Sequence, residues 1–278
     1  MSTLAHRERI YRTYMEFFDM AERKRRWSVF SDIDWDKLTE DSKGSAELAL
    51  CAETFCGVEM YLPDYVAKGL NVLRDNFGRA WFHANWGYEE SKHAFSLREY
   101  LLRSGHRTPE QWDVYEQEVL AKTWERPFHT ARQMTCYGAI QEAATLLIYK
   151  KQQTQAKAEG AVVLEQIYQL IARDEAAHAR FYRDVIALEM QEDREGTLAD
   201  LAHVFAHFKM PGVGLVPNYD ARIGVMREAG IDRGAFLTKV WFPLLKGVGT
   251  DRRELGRISR AQRAALELNG NPPIAEAK

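Results

Sequence analysis

The sequence predicts an all-α fold, a helical bundle built as one domain, and three observations predict it. Apolar residues recur at three- and four-residue spacing through most of the 278-residue chain. Sustained period-two alternation is missing, and no Asn-Gly or Asp-Gly pair joins two strand-like runs. With 46% apolar residues and only 8 prolines, the chain can bury a large core rather than remain disordered.

The elements follow in order. A first helix covers about residues 5 to 26 and ends in the basic cluster Arg23 to Arg26. Asp and Ser residues between Asp32 and Lys43 mark a linker, and a long helix follows from about Ser45 to Asn71. Pro63 lies inside it; apolar spacing continues through Tyr65, Val66 and Leu70, which predicts a kink rather than a stop. The next helix runs from about Arg79 to Ser104 and is broken by Gly105. Thr108-Pro109-Glu110 reads as an N-cap with proline at the first helical position, opening a shorter helix to about Lys122. Two long helices span about His129 to Ala158 and Val162 to Glu192, turning at Gly160. Shorter helices are expected near 198–207, 232–246 and 259–268, with a loop at Met210 to Gly214 and a flexible tail at 270–278. Nothing marks a domain boundary. The expectation is one domain over 1–278, with a four-helix core at about 45–192 and additional helices at 196–268.

Composition excludes several classes. A net charge of −2 gives no reason to expect nucleic acid. No run of ~20 apolar residues suits a membrane-spanning helix. The segment Met1 to Glu22 is charged throughout and lacks the apolar stretch of a secretory signal, so a cytoplasmic location is expected. The three cysteines, Cys51, Cys56 and Cys136, form no CxxC pair and read as small buried residues in a reducing compartment.

The chemistry lies in a repeated motif. Glu-x-x-His occurs as Glu90-Ser-Lys-His93 and as Glu175-Ala-Ala-His178. Residues i and i+3 share a helix face, so each motif aims a carboxylate and an imidazole at one point. That donor pair suits iron or manganese. One such motif is weak evidence, but each follows a glutamate on an apolar helical face. Glu59 has Phe55, Cys56, Leu62 and Pro63 at three- and four-residue spacing, and Glu142 has Gly138, Ala139, Thr145 and Leu146. A core-facing carboxylate needs a charge partner, a proton or a metal. Glu59 and Glu90 are 31 residues apart, Glu142 and Glu175 33 apart. In two antiparallel hairpins those separations place all four glutamates at similar depth. Glu59, Glu90, His93, Glu142, Glu175 and His178 are the ligand set of a ferritin-like di-metal bundle.

Each motif is preceded by an acid, giving Glu89-Glu90 and Asp174-Glu175. Metal-bound imidazoles donate their outer N–H to a carboxylate or carbonyl. Asp174 is expected to support His93, and Glu89 either supports His178 or lies on the surface.

Four segments then resemble the soluble acyl-acyl-carrier-protein desaturases. They are Glu59-Met-Tyr-Leu-Pro-Asp-Tyr65, Trp86-Gly-Tyr-Glu-Glu-Ser-Lys-His93, Gln141-Glu-Ala-Ala-Thr145 and Asp174-Glu-Ala-Ala-His178, within roughly residues 45 to 190. The resemblance implies a homodimer with two iron ions per subunit, O₂ as co-substrate and a ferredoxin-like electron donor. It implies an oxidoreductase that introduces a cis double bond into a fatty acyl chain carried by acyl carrier protein or coenzyme A. Thr145 would donate to oxygen at the metals, and Trp86 and Asp174 would belong to an electron route. The basic residues Arg23 to Arg26 and Lys150-Lys151 either receive an acidic carrier or are ordinary solvated faces. The chain is shorter than the plant enzymes after about residue 195 and between Glu59 and Glu90. The competing readings are another O₂-dependent di-iron oxidase on the same scaffold and a non-catalytic iron-binding bundle.

Overall fold

The computed structural model describes residues 3–228, 232–258 and 260. Among them no strand occurs. α1 (Leu4–Met20) starts at Thr3, whose hydroxyl accepts from the His6 amide, and continues into a π-helical turn, Ala21–Arg25. The end of that turn and the segment after it carry Arg25 and Trp27 into the interior.

α2 (Ala46–Glu59) and α3 (Leu62–Leu73) occupy the span where the sequence predicts one kinked helix. The helix stops and restarts instead. Pro63 has no N–H for the Glu59 carbonyl, and its ring crowds that turn. Tyr61 N–H bonds back to the Val58 carbonyl at 3.3 Å, and Tyr65 Oη donates to the same carbonyl at 2.9 Å. Glu59 therefore sits on the last residue of a helix.

α4 (Phe77–Arg103) is capped by Asn76, and α5 (Pro109–Leu120) by a reciprocal box between Thr108 and Gln111. α6 (Ala131–Ala158) and α7 (Val162–Glu192) turn at Gly160, whose φ of 71° requires a residue without a Cβ. α8 (Arg194–His207) follows directly. α9 (Tyr219–Glu228) has no counterpart in the sequence reading; its placement against α2 is tertiary, and Arg222 on it bonds Glu53 of α2 at 2.7 Å. The helix expected near 232–246 forms as α10 (Arg233–Phe236), a π-helical turn (Leu237–Trp241) and α11 (Phe242–Gly247). Apart from residue 260, the expected helix at 259–268 and the tail lie outside the described residues.

α2 and α3 pair with α4, and α6 pairs with α7. The two hairpins meet through α4 against α7 and α2 against α6, while α1 lies over α4 and α7. One contiguous hydrophobic core runs through these helices, including Leu97, Tyr100, Ile140, Leu164 and Ile171, all buried. Cys51, Cys56 and Cys136 are free and buried, and burial pushes the Cys51 thiol up to about 11.

Candidate metal centre

Four helices bring six donors to one point in the middle of the core. α4 supplies Glu90 and His93, α7 supplies Glu175 and His178, α6 supplies Glu142, and the end of α2 supplies Glu59. All six are buried. They form two overlapping groups, Glu59–Glu90–His93–Glu175 and Glu90–Glu142–Glu175–His178, with the ligand atoms of each within 4.8 Å of one another. Glu90 and Glu175 belong to both, the positions from which a carboxylate can serve two ions.

Three of the inward atoms lack partners of their own. His93 Nδ1 lies 3.0 Å from Glu90 Oε2 and 3.6 Å from Glu175 Oε1. His178 Nδ1 lies 3.0 Å from Glu90 Oε1 and 3.3 Å from Glu142 Oε2. Both Nδ1 atoms and Glu90 Oε1 are buried without a hydrogen-bond partner. Such orphaned donors are rare in a folded interior unless something binds them. Four carboxylates balance two divalent cations, and mixed oxygen and imidazole donors fit iron or manganese. The residues fit a pair of metal ions.

Without ions the cluster must be held by protons. Burial, reinforced by the neighbouring charge of Glu90, pushes Glu59 and Glu175 well above the usual carboxylate range. Burial also works against the charge on Glu90, but His93 and His178 outweigh it and hold its carboxyl at about 2. Burial opposes the charge on His93 too, yet Glu90 and Asp174 raise it to about 10. An arriving cation displaces those protons.

The outer nitrogens have defined neighbours. His178 Nε2 lies 2.7 Å from Glu89 Oε2, which places Glu89 in the interior rather than on the surface. His93 Nε2 has no hydrogen-bond partner among the described residues; the carboxylate expected to support it, Asp174, keeps its Oδ2 3.5 Å away. Asp174 accepts from Trp27 Nε1 and Arg25 Nη1, both at 2.7 Å. Arg25 Nη1 reaches Glu89 at 2.9 Å, and Arg26 Nη1 reaches it at 2.5 Å. Two arginines thus offset the two outer acids. This use removes Arg25 and Arg26 from the basic docking face considered above; Arg23 pairs with Asp19 at 2.8 Å.

The remaining expected residues also lie here. Thr145 Oγ1 donates to Glu175 Oε2 at 2.9 Å and also approaches the Gln141 and Glu142 carbonyls at 3.1 Å. Trp86 Nε1 donates to Glu142 Oε1 at 3.1 Å, and its ring stacks on His83. The indole on Asp174 is Trp27, which sequence reasoning missed. It missed Tyr149 as well, whose Oη donates to Glu59 Oε1 at 2.8 Å. Tyr149 was findable, since it follows Thr145 by four residues on the face that carries Glu142. Trp27 and Arg25 had no such signal, because they lie almost 150 residues from Asp174.

A cavity of about 250 Å³ opens beside Thr145. Its walls are mostly apolar, with Phe55, Val58, Ala144, Ile148, Tyr219 and Phe236 among them.

The helical bundle has the ferritin-like fold, and its four buried carboxylates and two imidazoles converge as the donor set of di-metal carboxylate bundles does. The fatty acid desaturase profile matches residues 45–232, and the chain belongs to that family. It is 26% identical over 223 residues to a Mycobacterium tuberculosis protein named as the acyl-[acyl-carrier-protein] desaturase DesA1, covering 77% of this chain and 64% of that one. It is 28% identical over 225 residues to the chloroplastic stearoyl-[acyl-carrier-protein] 9-desaturase of Linum usitatissimum, covering 70% and 56%. The chain therefore spans less than two thirds of these curated relatives. Among solved structures, one named as the acyl-ACP desaturase DesA2 of M. tuberculosis H37Rv superposes with a TM-score of 0.61 at 18% identity, covering 95% of this chain and 98% of that one. An R2-like ligand-binding oxidase reconstituted with a Mn/Fe cofactor gives 0.53 at 16% identity, covering 91% and 90%. These likenesses concern the fold. No helix among the described residues is long and apolar enough to cross a membrane.

Proposed function

We propose that the chain is an O₂-dependent di-iron desaturase that removes two hydrogens from a fatty acyl chain, presented by acyl carrier protein or coenzyme A. The reading rests on one observation above the rest. The apolar cavity reaches Thr145, and Thr145 bonds Glu175 of the metal centre. An alkyl chain in that cavity lies beside the oxidising site, with each methylene taken from water contributing about 0.8 kcal/mol to binding.

Glu59, Glu90, His93, Glu142, Glu175 and His178 would hold two iron ions, manganese being the alternative, and the pair supplies the oxidising power that an unactivated C–H bond demands. The overall change is –CH₂–CH₂– plus O₂, two electrons and two protons to –CH=CH– and two waters.

The protein's own groups perform the rest. Glu89 takes the Nε2–H of His178, leaving the Nδ1 lone pair for a metal. Asp174 stands behind His93 at 3.5 Å, without a hydrogen bond to it, and is held there by Trp27 and Arg25. Tyr149 holds Glu59 in one orientation through its hydroxyl. Thr145 holds a proton at Oγ1, where it can be given to the reaction or kept on Glu175. Phe55, Val58 and Ile148 exclude water from the side on which the alkyl chain lies. For the electrons, delivered by a ferredoxin-like donor, we assign the line Trp27–Asp174–His93 in preference to Trp86, because Trp27 bonds Asp174 directly.

The test is anaerobic iron loading, reduction, and O₂ exposure with acyl-carrier protein, acyl-CoA and free fatty acid in parallel. Loss of two hydrogens in the product supports the proposal. Gain of one oxygen or a shortened chain identifies a different oxidase, and no turnover with any acyl donor despite a full metal site defeats the reading.

A further inference from the structure

The face of α6 that carries Glu142 and Thr145 continues through Tyr149 to Gln152, at three- and four-residue spacing towards the Gly160 turn. On α7 the face of Glu175 and His178 runs back to Tyr168. The two helices run antiparallel: Thr145 meets Glu175, and the rings of Tyr149 and Tyr168 lie 5.8 Å apart. That register sets Gln152 within about one turn of the level of Tyr168. Gln152 and Tyr168 are both 0% exposed. Gln152 Oε1, Gln152 Nε2 and Tyr168 Oη have no hydrogen-bond partner among the described residues. Three orphaned atoms at one depth of a packed core are costly, and in native proteins ordered water meets such groups.

We propose that Gln152 and Tyr168 hold ordered water between them, and that this water completes a proton path from the Gly160 end of the bundle to Glu59. The inner end is in place, since Tyr149 Oη donates to Glu59 Oε1 at 2.8 Å. At the outer end Tyr100 Oη donates to the Lys43 carbonyl at 2.5 Å, and His106 Nε2 lies 3.2 Å from the same carbonyl. A Cβ on Gly44 would stand 3.6 Å from the Tyr100 hydroxyl and 3.0 Å from Ala161 beside the turn. The Tyr100 hydroxyl thus reaches the half-buried loop 43–45. Tyr168 stands between the two ends. Burial pushes its phenol far above the usual range, and Cys51 and Tyr100 close by add to that.

Each member has a part that its chemistry allows. A water or phenol oxygen accepts one proton and releases its own to the next, so one proton moves and no member keeps a charge. Gln152 does not pass protons this way. Its Oε1 accepts from water and its Nε2 donates to water, which holds the water in line. The need for the path rests on the reaction proposed above, which takes up two protons per turnover at a buried centre. Thr145 holds one, and its neighbours, the Gln141 and Glu142 carbonyls and Glu175 Oε2, are acceptors. The second proton has to come from solvent.

Gln152→Met and Tyr168→Phe keep the side-chain shape and remove the polar atoms, and neither residue is one of the six donors. Melting temperatures of the metal-free chain test the water. Each variant strands the bonds that the other residue makes to it and should melt about 3–6 °C lower, with the double variant losing less than the two losses added. Dry, unpaired atoms would give the opposite sign, a higher melting temperature in each variant, and that overturns the proposal. O₂ consumption by the reduced, iron-loaded chain with the three acyl donors named above, in H₂O and in D₂O, tests the path. Both variants should be at least tenfold slower at unchanged iron content. Their slowing in D₂O should exceed that of wild type, which a packing defect would not produce. Wild-type rates in both variants overturn the path whatever the melting temperatures. A wild type that takes up iron but consumes no O₂ with any donor refutes the reaction on which the path rests, and the path with it.

Discussion

His178 Nε2 and Glu89 Oε2 lie 2.7 Å apart in the buried core, on helices α7 and α4 from different hairpins. The contact fixes which imidazole nitrogen faces the metal centre, and it makes Glu89 part of the site although it is not a ligand. Glu89→Gln keeps the shape and removes the charge that Arg25 and Arg26 also use. Affinity for the ion at the His178 side should fall about 10–100-fold. Chelator competition followed by metal analysis measures it; two tightly held ions in the variant would contradict the role.

Thr145→Val removes the hydroxyl that reaches Glu175 while preserving shape. A hydrogen bond to a charged group contributes about 1.5–3 kcal/mol, so turnover should fall roughly 10–100-fold with both ions still bound. Thr145→Ser should retain most of it. Single-turnover product formation beside iron content checks this, and equal loss in both variants would point to packing instead.

Metal removal should cost stability. An ion present at about 100 times its dissociation constant adds ~2.7 kcal/mol per site. For a chain of this size each kcal/mol moves the melting temperature by about 2–4 °C. Anaerobic Fe²⁺ or Mn²⁺ should therefore raise the melting temperature of the metal-free protein by roughly 5–10 °C for each ion bound. Calorimetry that finds no shift would mean the six residues do not hold metal.

Ala144 lines the cavity beside Thr145 and is not one of the six donors, so Ala144→Phe should fill part of that space. Overpacking should cost about 1–3 kcal/mol of stability. Activity on long acyl chains should drop at least tenfold, with short chains affected less and iron content unchanged. Chain-length profiles by mass spectrometry decide; an unaltered profile would place the substrate elsewhere.

Glu53 binds Arg107 of the α4–α5 connection and, at 2.7 Å, Arg222 of α9. Burial opposes its charge, but the two arginines outweigh that and hold its carboxyl below the usual range. A lowered folded value means stability that is fully present above the unfolded value near 4.3 and lost as pH falls through the folded one. Glu53→Gln should cost about 3 kcal/mol near neutrality. The difference from wild type should narrow as pH falls below about 4. Urea unfolding across that range tests the sign, and a gap that widens in acid would refute it.

The long helices were legible because their signals are local. Thr108-Pro109, Gly105, Gly160 and the apolar spacing of 162–192 each act within a turn or two of themselves. Pro63 was legible only in part. The residue announces a disturbed helix, but whether the chain bends or restarts depends on where Tyr61 and Tyr65 find partners, and those partners include Val119 on α5. α9 was invisible because it is fixed by Arg222 and Glu53, which are 169 residues apart.

The sequence by itself picked out the six residues that meet in the core, four of them in two Glu-x-x-His motifs, because i, i+3 spacing and apolar flanks operate within single helices. It also carried the family resemblance that the profile match over 45–232 shows. Only the tertiary structure decided that Glu90 and Glu175 stand in both ligand groups, that Trp27 rather than Trp86 meets Asp174, and that Arg25 and Arg26 face inward. These are relations between helices that touch nowhere in the linear chain. They depend on the rotation and depth of each helix in the packed core, and no local pattern encodes them.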